Sequence, residues 1–190
     1  MYSINTQQLQ KNSLRKQILE KRKKLSQKIV KVKSAKIADN FFKIEKILGG
    51  QNYALYISIN NEVETKDIID KLIGLQKNIY LPIKINDKWA LTMFKDWKKL
   101  VIGPFGIKQP IEGLLTDADV IDISVFPGVA FDLSGNRLGY GLGVFDKLFK
   151  GSKAIRIGLA FEEQIVDQLP NFSHDLKMNL IVTEKRILSF

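Results

Sequence analysis

The spacing of apolar and polar positions predicts helices at the start of the chain. Leu14, Ile18 and Leu25 recur at intervals of four and seven residues, which gives residues 6–25 one apolar helix face. Ser26 follows and is well placed to cap a second helix, because its hydroxyl can accept a hydrogen bond from a free backbone N–H group. The second apolar pattern ends at a Gly-Gly pair, which is typical of a helix end.

Beyond the Gly-Gly pair, runs of β-branched and aromatic residues alternate with helical patterns. A helix is predicted over residues 64–75, and a short one over "FDKLFK" near residue 148. The predicted strands are residues 53–59, 78–82, 89–94, 119–128 and 154–161, with a hairpin in 178–190. Strands that alternate with helices indicate an α/β sandwich with a mostly parallel sheet. No linker or internal repeat divides the chain.

The composition agrees with a folded domain and excludes several kinds of site. The chain has 190 residues and is 45% hydrophobic, which is enough for a substantial core. It has no cysteine, so disulfides and thiolate metal sites are excluded. No signal segment begins the chain, and its uncharged apolar runs are too short to span a bilayer. A cytoplasmic protein with no membrane partner is the simplest interpretation.

The excess positive charge is confined to the first segment. Residues 1–48 carry thirteen Lys and Arg against three acidic residues, whereas residues 49–190 are balanced. A basic nucleic-acid-binding module using residues 11–36 is therefore one alternative. However, the basic run has no aromatic residue on which a base could stack, and its cations alternate with Leu and Ile at helical spacing. We favour a solvated helix face and expect no nucleic-acid partner.

A glycine-rich stretch carries the clearest candidate chemistry. Five of the thirteen glycines lie within residues 128–143, after a predicted strand and before a short predicted helix. Backbone N–H groups without a neighbouring Cβ can converge on one anion, and Arg137 and Lys147 flank the stretch. Asp146 could bind a Mg²⁺ ion that bridges phosphate oxygens. At this level two interpretations remain open, a polyphosphate-binding loop and a glycine-rich surface turn.

The same stretch resembles the signature of a known family. "VFPGVAFDLSGNRLGYGLGVFDKL" is similar to P-G-x-A-F-D-x-x-G-x-R-L-G-x-G-x-G-Y-Y-D in the 5-formyltetrahydrofolate cyclo-ligases, also called methenyltetrahydrofolate synthetases. "KNSLRKQILEKRKKLS", "YISINNEVET", "FGIKQP" and "LAFEEQIVDQLPNFSHD" resemble further family segments in the same order. The resemblance implies a three-layer α/β/α sandwich related to ribose-phosphate isomerase and CoA-transferases. It also implies one domain over 1–190, with the basic helices of 6–48 packed on the α/β core.

The resemblance implies roles for individual residues in nucleotide and metal binding. Lys11, Arg15 and Arg137 are expected to bind the ATP phosphates and to act in catalysis. The remaining expected ATP contacts are Leu138, Gly139, Tyr140, Gly141, Leu142, Gly143, Val144 and Phe145. Asp146 and Asp175 match the Mg²⁺ ligands of the family.

The expected folate site shares part of the glycine-rich loop. The residues implied for it are Ile59, Glu64, Tyr140, Gly141, Leu142, Gly143 and Val144. The chain departs from the family where paired tyrosines are replaced by Val144 and Phe145, and where Leu142 replaces a residue that is basic in some relatives. Met93, Phe94 and Trp97 are either a pterin pocket or, as we favour, core residues. Asp132 is expected to cap a turn, and His174, the only histidine, to have no catalytic role.

The implied reaction is the ATP- and Mg²⁺-dependent cyclisation of 5-formyltetrahydrofolate to 5,10-methenyltetrahydrofolate, with release of ADP and phosphate. The expected partners are ATP and 5-formyltetrahydrofolate, with or without a polyglutamate chain, and we expect a monomer. A sugar-phosphate or CoA enzyme on a related fold is a second rival. "FDLSGNRLGYG" argues against it, because such enzymes have no need for that pattern.

Overall fold

The structure is a computed structural model that describes residues 2–111, 113–170 and 175–190, with side chains from residue 6 onward. His174, which we predicted to have no catalytic role, lies outside these residues. No helix in the described ranges is both long enough and apolar enough to cross a bilayer.

The helices follow the predicted pattern, with one break. They are α1 (Tyr2–Lys23), α2 (Gln27–Phe42), α3 (Glu45–Leu48), α4 (Lys66–Gly74) and α5 (Val144–Leu148). Ser26 caps α2 as predicted, since its Oγ accepts the Ile29 N–H at 3.3 Å. The second predicted helix is split into α2 and α3, because Ile44 adopts an extended backbone with φ −86° and ψ 102°.

The main sheet has eight strands and is parallel at its centre. Its strands are β1 (Asn52–Ala54), β2 (Asn78–Ile85), β3 (Lys88–Met93), β6 (Leu115–Thr116), β7 (Ile123–Phe126), β10 (Ile155–Leu159), β12 (Leu180–Val182) and β13 (Ile187–Ser189). They lie in the order β13-β12-β10-β7-β1-β2-β3-β6. Neighbours from β12 to β2 pair in parallel, and the outer pairs are antiparallel. The predicted mostly parallel sheet and terminal hairpin are confirmed.

Two smaller sheets were not predicted. One pairs β4 (Leu100–Ile102) with β5 (Lys108–Pro110), and the other joins β8 (Ala130–Asp132), β9 (Arg137–Leu138) and β11 (Ile165–Val166). These strands have two or three residues each, which is too short for an alternating pattern to register. The second of these sheets leads directly into the glycine-rich loop.

Helical segments cover both faces of the main sheet. In β7, Ile123 lies next to Gly50, at the end of α3, whereas Phe126 packs on Phe145 of α5 with ring centroids 5.1 Å apart. Residues at odd and even positions of a strand point to opposite faces, so α3 and α5 lie on opposite sides of the sheet. This arrangement agrees with the predicted three-layer α/β/α sandwich.

Helix α1 packs beside the small sheet that contains β8 and β9. Ile18 is 3% exposed and belongs to an apolar cluster with Val129, Ala130, Leu138 and Leu169. Because residues three and four apart share a helix face, burying Ile18 turns the neighbouring positions Lys11 and Arg15 toward the end of β9. The apolar pattern of α1 therefore brings its first cations to the glycine-rich loop.

The strand predicted over residues 53–59 ends at Ala54. Beyond it, the Tyr56 hydroxyl donates to the Val63 carbonyl at 3.0 Å, across a tight turn. Asn60 and Asn61 form this turn with φ angles of 49° and 57°. Asparagine is one of the few non-glycine residues that adopts positive φ readily, so the turn stops the strand and redirects the chain.

Asp132 caps the turn that follows β8, as predicted. The side chain is fully buried, and its oxygens accept the N–H groups of Ser134 and Leu169, both at 2.9 Å. They also accept the backbone and side-chain N–H groups of Asn136, at 2.9 and 2.8 Å. The carboxylate therefore satisfies four donors.

We expect Asp132→Asn to lower the free energy of unfolding by about 2 kcal/mol, because an amide N–H₂ would face buried donors. The measurement is urea denaturation of both proteins. Asp87→Asn is the control, since the Asp87 side chain is 95% exposed and pairs with the nearby Lys84. Equal effects of the two changes would show that the four donors find other acceptors.

Candidate active site

A cavity of about 880 Å³ opens where α1, the Asn60 turn, the β4–β5 hairpin and the glycine-rich loop meet. Volumes of this size are typical of ligand sites. Of the residues predicted for the site, those that line the cavity are Lys11, Arg15, Ile59, Arg137, Leu138, Gly139, Tyr140, Gly141, Leu142, Gly143, Val144, Phe145, Asp146 and Asp175. The structure thus brings together four separate chain segments, of which the first and the last, at Lys11 and Asp175, are 164 residues apart in the sequence.

An ion pair and a hydrogen bond hold two cations of α1 on the side of the cavity that the glycine-rich loop forms. Lys11 is 6% exposed, and its Nζ lies 2.6 Å from Oδ2 of Asp175. Arg15 donates from Nε to the Gly139 carbonyl at 2.9 Å. Burial lowers the pKa of the Arg15 guanidinium from its usual value, but arginine stays protonated in proteins. Both side chains are therefore positive charges at the cavity wall.

The glycine-rich loop has a backbone that other residues would strain. Gly141 and Gly143 have φ angles of 108° and 60°, which glycine adopts at little cost. A Cβ on Gly141 would lie 3.8 Å from Nη2 of Arg15, so the loop backbone passes close to that cation. The open backbone and the adjacent guanidinium together suit an anionic ligand.

Arg137 stands at the base of the loop. It donates from Nη2 to Oδ2 of Asp146 at 2.6 Å and from Nη1 to the Pro127 carbonyl at 3.1 Å. Its guanidinium carbon lies 5.3 Å from the centroid of the Phe126 ring. These contacts fix the guanidinium between the end of β7 and the start of α5.

The two aspartates predicted as metal ligands lie close together. Oδ1 of Asp146 accepts the N–H of Leu176 at 3.4 Å, and Leu176 adjoins Asp175. Each carboxylate is paired with a cation, Arg137 or Lys11. No group of three Asp, Glu, His or Cys that could hold a metal occurs among the residues that the structure describes. Two carboxylates do suit Mg²⁺, which usually completes its shell with phosphate oxygens and waters.

Glu64, which was predicted to contact folate, does not line the cavity, whereas Glu62 does. The Glu64 backbone N–H donates to Ser34 Oγ on α2 at 2.9 Å. Glu62 is 5% exposed, and its Oε2 accepts the Ile59 N–H at 2.9 Å. Burial raises the pKa of Glu62 above its ordinary value. The Asn60 turn reverses the chain and so brings Glu62, two residues before Glu64, to the cavity wall. The Asn-Asn pair is the sequence signal for that turn.

The apolar wall of the cavity includes aromatic residues that the sequence did not single out. Tyr56, Trp89 and Phe105 line it, whereas Met93, Phe94 and Trp97 do not. Phe94 is 6% exposed and packs edge-on against Trp97 at 4.9 Å, so the favoured core interpretation holds for these two residues. For Met93 it was wrong, because that side chain is 40% exposed. The sequence could not identify Trp89 as a cavity residue, because the pattern of its strand does not indicate which face of the strand meets a ligand.

Phe145 stands where the family has a tyrosine, and its side chain has a packing role. It is 8% exposed, and its ring lies 5.1 Å from Phe126 and 6.1 Å from Phe149. The aromatic ring therefore anchors the loop to the sheet without a hydroxyl.

Comparisons with known proteins agree with the geometry. The profile of the 5-formyltetrahydrofolate cyclo-ligase family matches residues 7–184. The chain is similar to the NMR structure of Aquifex aeolicus 5,10-methenyltetrahydrofolate synthetase, with TM-score 0.85, 32% identity and coverage of 94% of this chain and 92% of that one. It is also similar to the structure of a 5,10-methenyltetrahydrofolate synthetase from Mycoplasma pneumoniae, with TM-score 0.74 and 26% identity. That match covers 92% of this chain and 98% of the other.

A curated relative extends the agreement along most of the sequence. The Saccharomyces cerevisiae 5-formyltetrahydrofolate cyclo-ligase is 28% identical, and the match covers 90% of this chain and 94% of that protein. The profile match alone spans well over half of the chain. The protein therefore belongs to the 5-formyltetrahydrofolate cyclo-ligase family.

Proposed function

We propose that this protein converts 5-formyltetrahydrofolate and ATP into 5,10-methenyltetrahydrofolate, ADP and phosphate. One observation carries the proposal: two chemically different sets of residues line a single cavity. The first set, which we call the cationic wall, is the glycine-rich loop with Lys11, Arg15 and Arg137, and the second is Glu62 with aromatic side chains. A triphosphate suits the first set and a pterin the second, so the two substrates would meet in this cavity.

The cationic wall would bind and orient the triphosphate. Lys11 and Arg15 reach it from α1, and Arg137 reaches it from the base of the loop. Arginine offers planar pairs of N–H donors that match phosphate oxygens, and lysine offers a point charge. Phosphoryl transfer is promoted mainly by positioning and by charge stabilisation, so no nucleophilic protein side chain is required.

Asp146 and Asp175 would hold a Mg²⁺ ion together with phosphate oxygens. Their salt bridges to Arg137 and Lys11 hold both carboxylates at the cavity wall. A bound Mg²⁺ would neutralise charge on the transferred phosphoryl group.

Glu62 would recognise the pterin. A pterin presents adjacent ring and amino N–H donors, and a carboxylate has about four lone-pair sites with which to accept hydrogen bonds. The Ile59 N–H occupies one site of Glu62, so further sites are left for the ligand. Tyr56, Trp89 and Phe105 line the same cavity and offer apolar area to the flat ring system.

The chemistry follows from the weakness of the formyl group as an electrophile. Its oxygen attacks the γ-phosphorus, the bond to ADP breaks, and the formyl carbon becomes activated. The neighbouring amine nitrogen attacks that carbon and loses its proton, and phosphate leaves with the original formyl oxygen. The protein's task is to align the oxygen with the phosphorus and to exclude water from the activated carbon.

An isotope experiment tests this route. With ¹⁸O in the formyl group, we expect the released inorganic phosphate to carry the label while ADP does not. Unlabelled phosphate accompanied by methenyl product would contradict the phosphorylated formyl intermediate.

Asp146→Asn should raise the Mg²⁺ concentration needed for half-maximal turnover about tenfold, because one charged oxygen ligand is lost. Titration of Mg²⁺ at saturating ATP measures the effect. Asp119→Asn is the control, since Asp119 is exposed and does not line the cavity. An unchanged Mg²⁺ requirement in Asp146→Asn would remove Asp146 from the metal site.

The remaining expectations extend the same proposal. We propose one catalytic domain over 1–190 that acts as a monomer in the cytoplasm on free or polyglutamylated substrate. The nucleic-acid alternative is not favoured, because Lys11 and Arg15 face the cavity and Arg22 is 1% exposed. These cations are therefore not displayed on an open helix face.

A further inference from the structure

Arg22 is a fully buried cation that the proposed chemistry does not use. It lies near the end of α1, is 1% exposed and does not line the cavity. The basic run that contains Arg22 was predicted to be a solvated helix face, and for Arg22 this was wrong. Arginine is almost never fully buried unless its donors are paired, so its contacts indicate what the burial achieves.

The guanidinium of Arg22 joins three segments around the cavity. Nε donates to the Asn60 carbonyl at 3.1 Å, and Nη1 donates to the Gly128 carbonyl at 3.3 Å. Nη2 donates to the Tyr140 hydroxyl in the glycine-rich loop. One side chain thus fixes the turn that carries Glu62, the end of β7 and the loop.

The direction of these hydrogen bonds determines where the Tyr140 proton points. A guanidinium only donates, so the Tyr140 oxygen accepts from Arg22 and its own O–H remains available to donate. The Tyr140 hydroxyl also interacts electrostatically with Glu62, so its free O–H can be directed at that carboxylate. Arg22 therefore acts on Glu62 from two sides, through its hydrogen bond to Tyr140 and through its hydrogen bond to the Asn60 turn.

We propose that Arg22 is a positioning residue for folate recognition, which holds the Glu62 carboxylate in place and charged at the cavity wall through Tyr140 and the Asn60 turn. The inference rests on the proposed function, since it concerns the same substrate. Arg22 itself does not touch the ligand.

The electrostatics around Glu62 agree with this geometry. Burial raises the pKa of Glu62, and the Ile59 N–H, the charge of Arg22 and the Tyr140 hydroxyl oppose that rise. Among the residues that the structure describes, the titratable groups that interact with Glu62 are Arg22 from α1, Tyr140 from the loop and Tyr56 after β1. Burial and the charge of Glu62 both raise the pKa of Tyr56, so this phenol stays neutral. Arg22 is the cation of these three.

The test is the pH dependence of folate binding. The anionic form of Glu62 is lost as pH falls through its raised pKa, so wild-type affinity for 5-formyltetrahydrofolate should fall on the acid side. We expect Arg22→Met to move this fall in affinity, the acid limb, to a pH about one to two units higher, because the change removes a cation that favours the charged form of Glu62. Calorimetric titration with 5-formyltetrahydrofolate between pH 5.5 and 9 measures the limb without requiring turnover.

Two further variants separate charge from simple packing. Arg22→Lys keeps the charge but not the three directed bonds, so its acid limb should stay near the wild-type pH while affinity falls about tenfold. Lys24→Met removes an exposed cation of the same helix region and should change neither property. If Arg22 only stabilised the fold, Arg22→Met would weaken folate binding equally at every pH.

Tyr140→Phe decides the question if Arg22→Met does not fold. It removes the intermediate hydroxyl but keeps the ring, and we expect its acid limb to move upward as well. An unmoved limb in the folded Arg22→Met protein, or in Tyr140→Phe when Arg22→Met cannot be prepared, overturns the inference. A wild-type protein that neither binds nor converts 5-formyltetrahydrofolate would instead overturn the proposed function.

Discussion

Replacing both Lys11 and Arg15 with alanine should weaken ATP binding by about 10²- to 10⁴-fold, with a much smaller effect on folate binding. Hydrogen bonds to charged groups contribute ~1.5–3 kcal/mol each, which corresponds to about 10- to 100-fold in affinity for each side chain lost. In the structure, Lys11 pairs with Asp175 and Arg15 with the Gly139 carbonyl, so both lie beside the loop that would receive the phosphates. Calorimetric titration with ATP and with 5-formyltetrahydrofolate measures the two affinities.

The control for this prediction is Lys23→Ala combined with Lys24→Ala. Both lysines are exposed on or just after the same helix, so the control removes the same net charge away from the cavity. Surface charges at such sites contribute little to a distant contact, and we expect less than about threefold change in ATP affinity. Similar losses in the two double variants would mean that the helix acts through bulk charge, and the nucleic-acid alternative would gain support.

Glu62→Gln should weaken binding of 5-formyltetrahydrofolate by about 10- to 100-fold and leave ATP affinity unchanged. Glutamine has the same size, but its amide presents an NH₂ donor where the pterin also presents donors. An unmatched polar pair in a closed site costs ~1–3 kcal/mol. Glu62 is 5% exposed, so water cannot easily relieve the mismatch. Measured affinities for both substrates, with thermal melting as a check on folding, give the result.

Glu64→Gln provides a matched control two residues away. Its backbone bonds Ser34, and its side chain does not line the cavity, so folate affinity should be nearly unchanged. If Glu64→Gln loses affinity for folate and Glu62→Gln keeps it, Glu64 and not Glu62 recognises the pterin, as the family resemblance implied.

The elements of this fold could be predicted where local patterns decide the structure. The apolar spacing of Leu14 and Ile18 predicts α1, and the Ser26 cap and the terminal hairpin follow from equally local signals. The glycine-rich loop could be predicted from its glycine cluster, because the positive φ angles at Gly141 and Gly143 favour glycine at those positions. The family resemblance implied a set of site residues, and the structure brings most of them into one cavity. Their individual roles stay predictions.

What could not be predicted depends on contacts between distant segments. Arg22 looks like one cation among many in the sequence, and only the fold places it against Asn60, Gly128 and Tyr140. Glu62 and Glu64 are equally plausible by composition, and a two-residue turn decides which one reaches the cavity. Such burial depends on tertiary packing, which a periodic pattern does not encode.

The most direct test of the central claim is an absorbance measurement on the purified protein. Mixed with Mg²⁺, ATP and 5-formyltetrahydrofolate, it should generate the near-ultraviolet chromophore of 5,10-methenyltetrahydrofolate, with one ADP and one phosphate released per methenyl group formed. Omitting ATP, or chelating the metal with EDTA, should abolish the increase. A folded protein that binds ATP but forms no chromophore in the complete mixture would contradict the account.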